Sequence, residues 1–156
     1  ALAVDRRSRE LIYRYVRQEK LRRAAARAVA GIPDGREYRM RIGIRSSVGM
    51  KGRYSLDTYE REAERLFVVS DTYRSGGLFI SALINEAARK RCKVRVSYDP
   101  VSPDLPDALF FEESGDCFVV DTGIVSEEVE KKINMRLYPA RCVHIIILST
   151  NSVLSL

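Results

Sequence analysis

Tryptophan is absent from the chain, and histidine occurs once, at His144. One histidine supports neither a multi-histidine metal site nor a Ser-His-Asp triad. It lies inside the apolar run Val143 to Leu148, where a structural histidine is expected. The three cysteines, Cys92, Cys117 and Cys142, are far apart and form no CxxC-type pair. They read as reduced structural thiols of a cytoplasmic protein. No run of about 18 apolar residues occurs, so no membrane-spanning helix is expected. The charged N-terminus has no apolar stretch behind it, so no signal peptide is expected. The start at Ala1 and the stop at Leu156 suggest a piece of a longer protein.

What is present suits one domain: 156 residues, 46% apolar and 31% charged. The net charge of +6 is concentrated. Residues 5 to 27 carry nine bases and three acids, and the remaining 18 bases and 18 acids cancel. Residues 5 to 30 read as a long helix capped by Asp5 or Ser8. Its apolar stripe, Ile12, Tyr15, Val16, Leu21, Ala24, Ala25 and Ala28, is discontinuous. Gly31 to Gly35 stops it. The Arg-rich face is a solvated surface in the plain reading. In the functional one it contacts nucleic-acid phosphates, an acidic partner or another domain.

The rest alternates strands and helices. Arg39 to Arg45 reads as a strand, "SSVGMKGRYS" (46–55) as a polar loop and Thr58 to Arg65 as a short helix. Leu66 to Val69 reads as a buried strand and Leu78 to Arg91 as a helix. That helix has Phe79, Ile80, Leu83, Ile84, Ala87 and Ala88 on one face. Lys93 to Tyr98 is a strand, and the proline-rich 99–107 an extended loop. Its carboxylates Asp99, Asp104 and Asp107 read mainly as turn and capping residues, with a ligand role as the alternative. Strands Ala108 to Phe111 and Cys117 to Val120 flank the turn "EESGD". A helix opens at Ser126 and ends before Pro139, and Val143 to Leu148 is a last buried strand. The order predicts an α/β fold, a mainly parallel sheet flanked by helices, behind a long N-terminal helix.

The stretch "DTYRSGGL", Asp71 to Leu78, lies between a buried strand and a helix. A phosphate loop, G-x-x-x-x-G-K-[ST], belongs there. Its glycines let backbone N–H groups surround a phosphate, its Lys neutralises the anion and its hydroxyl meets Mg²⁺. Here Gly76 takes the second glycine position. Asp71 stands at the first glycine, Gly77 at the Lys and Leu78 at the hydroxyl. Asp71 would repel a polyphosphate. Arg74, Ser75, Gly76 and Gly77 could retain some anion affinity at the helix start; the plainer reading is a flexible turn. Downstream, Cys117 to Asp121 has the form of a Walker B strand, whose Asp121 would hold Mg²⁺ through water.

Taken in order, these pieces resemble one half of a family of bacterial P-loop ATPases built from two tandem nucleotide-binding halves. In that family a half opens on S-A-x-T-P-K-G, matched here by Ser46-Ser47-Val48-Gly49-Met50-Lys51-Gly52. The phosphate loop G-x-P-G-T-G-K-S-T-L falls on Asp71 to Leu78. A loop like S-D-P-D-S-L-D is matched by Ser102-Pro103-Asp104-Leu105-Pro106-Asp107, and D-G-T-A-P-H begins like Asp121-Thr122-Gly123. A family H-C aligns with Tyr98-Asp99, and the final P-H is replaced by Val125-Ser126. The resemblance spans about residues 40 to 125. It implies a P-loop NTPase-like domain over 36–156, with 1–35 as a basic connector from a preceding half. With the Lys, the hydroxyl and the first Gly missing, it implies a noncatalytic half, structural or regulatory, partnered by another ATPase half or protein domain. No cofactor is then expected, and ATP with Mg²⁺ is what a surviving site would hold. A nucleotide-binding protein with a nonstandard loop, and a nucleic-acid module using Arg6 to Arg27, are the alternatives. The absence of an aromatic-rich base-stacking strand ranks nucleic acid last, and no membrane partner is expected.

Overall fold

The computed structural model describes residues 18–55, 58–70, 75–121, 142–148 and 153–155. Of the predicted N-terminal helix, residues 18–28 are described and helical, here α1; residues 5–17 lie outside the described residues. Then follow β1 (Arg39–Gly43), β2 (Ser46–Gly49), β3 (Gly52–Ser55), α2 (Thr58–Glu62), β4 (Arg65–Ser70) and α3 (Ser75–Arg89). The remaining strands are β5 (Lys93–Tyr98), β6 (Pro106–Phe111), β7 (Asp116–Asp121), β8 (Cys142–Leu148) and β9 (Val153–Ser155). The predicted helix from Ser126 lies outside the described residues.

Among the described residues seven strands form one sheet in the order β1-β5-β6-β7-β4-β8-β9. β1 pairs with β5, and β4 with both β7 and β8, in parallel; β6 is antiparallel to β5 and β7, and β9 to β8. Five strands therefore run one way, as the alternation of strands and helices predicts, and β6 and β9 run the other.

Each face has its own core, because successive strand residues point to opposite sides. On one face Val69, Val94, Val96, Leu109, Phe111 and Phe118 meet α1 and α3. α1 contributes Leu21, Ala24, Ala25 and Val29, the spacing of one helical face, and α3 contributes Phe79, Ile80, Leu83 and Ala87. Phe67 stacks on Phe118 with ring centroids 4.4 Å apart. On the other face α2 brings Tyr59, and Ala63 just beyond it, to Leu66, Val68, Ala108, Phe110, Cys117 and Val119. Cys92 and Cys117 are buried free thiols, both with raised pKa values because burial disfavours the thiolate.

Three boundaries differ from expectation. Residues 46–55 form the β2–β3 hairpin rather than a loop, with Gly49 paired to Gly52 around a two-residue turn. α3 begins at Ser75, drawing Ser75, Gly76 and Gly77 into its first turn. The proline-rich loop ends earlier than expected, because Pro106 and Asp107 join β6. At its far end α3 closes with the bonds Cys92 N–H to Ala87 O (3.0 Å) and Arg91 N–H to Ala88 O (3.1 Å), while Arg91 takes φ 55°. That is a Schellman closure with arginine in the position glycine favours.

Candidate functional site

In a parallel arrangement, ligands collect where strands end and loops lead into helices. β4 and β7 end side by side, with Val69 opposite Val120 and Ser70 opposite Asp121. The short connection from β4 to α3 and the Walker B-like position are thus neighbours along the backbone. Asp71 and Arg74 lie outside the described residues, and Ser75 is the first residue of α3.

The first turn of α3 is covered by protein. Gly76 and Gly77 are buried, and Leu78 is 42% exposed. Leu105, from the proline-rich loop, packs on Gly77 so closely that a Cβ there would lie 3.1 Å from the Leu105 Cβ. The loop is fastened where it does this. Asp99 N–H donates to Leu105 O (2.9 Å), and Leu105 N–H to Ser102 O (2.9 Å). Asp99 also accepts from Val101 N–H through Oδ1 (2.8 Å), the turn role expected of it. The Gly77 carbonyl accepts from Ser81 Oγ (3.0 Å). Gly77 thus fits close packing between loop and helix, at the position where a phosphate loop carries its lysine.

A second group at the same end of the sheet had no clear signal in the sequence. Arg45, just past β1, is 5% exposed and donates from Nε to Glu60 Oε1 (2.8 Å) on α2. Its Nη1 donates to the Val120 carbonyl (3.3 Å) and lies 3.8 Å from Asp107 Oδ2. Its backbone N–H donates to Ser97 Oγ at the end of β5 (3.0 Å). Burial opposes the guanidinium charge, but Glu60 and Asp107 outweigh it and raise the Arg45 pKa above its ordinary value. Asp107 therefore sits buried in β6 beside Arg45, not in a turn as expected. The group ties the end of β1, β5, β6, α2 and the end of β7 together. Glu60 Oε2 and the neighbouring Tyr59 hydroxyl are buried without a hydrogen-bond partner among the described residues. Burial pushes the Tyr59 pKa up to about 12.

Two open grooves lie elsewhere. One, about 590 Å³, runs between α1 and α3 past Leu21, Leu78 and Glu86. The other, about 550 Å³, is lined by Arg41, Glu62, Arg95, Phe110 and Glu112. Among the described residues no group of three or more His, Cys, Asp or Glu is placed to hold a metal, and no helix is long and apolar enough to cross a membrane. The described basic residues of α1 are partly engaged: Arg22 pairs with Glu19 (3.1 Å), and Arg27 Nε donates to Arg23 O (3.4 Å). No family model, curated protein or solved structure matches the chain.

Proposed function

We propose that the chain is a P-loop NTPase-like domain that has lost catalysis and serves a structural or regulatory role beside an ATPase domain. The adjacency of the β4–α3 connection and the end of β7, with Asp121 opposite Ser70, supports the first half of this reading. The observation that carries the second half is Leu105 seated on Gly77. A phosphate loop needs a cationic side chain at that position and space for an anion above the first helical turn. Here Leu105 lies against Gly77, where a side chain in the lysine's place would begin, and the sequence supplies glycine for lysine, leucine for the hydroxyl and aspartate for the first glycine.

A steady-state phosphate-release assay with ATP and Mg²⁺ tests the reading. The chain should release phosphate no faster than buffer, and Asp121→Ala should change nothing. Mg²⁺-dependent turnover that disappears in Asp121→Ala would contradict it.

A further inference from the structure

Among the described residues the outer edge of β1 has no partner strand. β1 stands at the end of the sheet order and pairs only with β5 among the described strands. Met40, Ile42 and, just beyond the strand, Ile44 are 40%, 72% and 66% exposed. Met40 and Ile42 lie opposite Val94 and Val96, so they extend the apolar face that α1 and α3 cover farther in. Natural edge strands carry charges or bulges against unwanted pairing. This one carries arginines on its other face and leaves an unprotected apolar row.

We propose that β1 pairs with β1 of a second copy of this chain, antiparallel and centred on Ile42, joining two sheets into one. The backbone sets the register. Arg39 N–H donates inward to Cys92 O (3.3 Å). Alternation then turns the N–H and C=O groups of Met40, Ile42 and Ile44 outward. Centred on Ile42, the two copies match Ile42 with Ile42 and Met40 with Ile44, and these outward-facing pairs exchange hydrogen bonds. Arg41 then faces Gly43, which carries no side chain. Its nearest acid, Glu112 Oε1 at 3.7 Å, lies within its own chain. A register centred one residue earlier would set Arg41 against Arg41, which like-charge repulsion disfavours. In this register the strand is self-complementary with no arginine set against another, as a two-fold interface requires. Five-residue strands bury little area, so the dimer is weak, with a dissociation constant on the order of 10–100 μM.

Sedimentation velocity across a concentration series, with oxidative crosslinking, tests this. The wild-type chain should move from monomer to dimer as concentration rises, and Ile42→Lys should remain monomeric. Because Ile42 is exposed, that variant keeps its folded-state spectrum. Ile42→Cys should give a disulfide-linked dimer, since facing residues of such a pair lie about 5.5 Å apart at Cα. Arg41→Cys should not. A wild-type chain that stays monomeric throughout overturns the proposal. So does a dimer that survives Ile42→Lys, or crosslinking of Arg41→Cys as fast as that of Ile42→Cys.

Discussion

The two ends of the β4–β7 pair carry buried charge in opposite ways. At the amino end Arg65 forms a two-pronged pair with Asp116, Nε to Oδ1 at 2.5 Å and Nη2 to Oδ2 at 2.8 Å. The Arg65 side chain is 45% exposed, so water solvates the cation while the fully buried Asp116 keeps its partner. The turn beside it is equally well fastened. Gly115, at φ 75°, accepts from Glu64 N–H (2.8 Å) and donates to Phe111 O (2.9 Å), and a side chain there would strike Glu64. At the carboxyl end Arg45, Glu60 and Asp107 are all buried, and a carboxylate oxygen and the Tyr59 hydroxyl lack described partners. A fold optimised for stability alone seldom leaves buried polar groups unmatched. Two such atoms, on Tyr59 and Glu60, lie at the end where sheets of this kind bind ligands.

The contrast is easiest to break at Arg45. Arg45→Met strands Glu60 in the interior and should cost about 3–5 kcal/mol in urea denaturation. Adding Glu60→Gln removes one of the two buried carboxylates that Arg45 meets and should restore part of that loss. If Arg45→Met alone is tolerated, the carboxyl-end cluster is not a buried charge network.

Tyr59 sharpens the same point through pH. A phenol whose pKa is raised from 10 to about 12 by burial binds its proton more tightly folded than unfolded. Stability should therefore be intact below pH 10 and fall between pH 10 and about 12, by up to about 3 kcal/mol. Tyr59→Phe should lose that limb of the stability–pH curve. At neutral pH it should match wild type, because the hydroxyl it removes has no described partner. An unchanged alkaline limb in the variant would show that other groups carry the dependence.

The amino end should be more forgiving. Asp116→Ala releases Arg65 to water and should cost about 1–2 kcal/mol, well short of Arg45→Met. Equal losses would erase the distinction between the ends. The smallest effect is expected at Arg91, whose left-handed backbone suits glycine. Arg91→Gly should raise stability by about 0.5–1 kcal/mol on thermal denaturation.

Much of this architecture was legible in the sequence, for physical reasons. The buried strands and α3 announce themselves by apolar runs and a helical stripe, and glycine with flanking polar residues marks the 112–115 turn. The short connection from β4 to α3 also follows from order alone. The Arg45 group was not legible, because its members are separated by 15 to 62 residues and meet only when β6 runs antiparallel beside β5. Leu105 on Gly77 was hidden for the same reason. The sequence places Leu105 28 residues after Gly77, and only the fold packs the two together. The β2–β3 hairpin was missed because its polar, glycine-bearing residues look like a loop until Gly49 and Gly52 are seen to pair.

Calorimetric titration of ATP with Mg²⁺ into the wild-type chain tests the proposed loss of a phosphate site most directly. No binding heat should appear up to millimolar ligand. Saturable, Mg²⁺-dependent binding in the range of about 100 μM or tighter, abolished by Asp121→Ala, would contradict it.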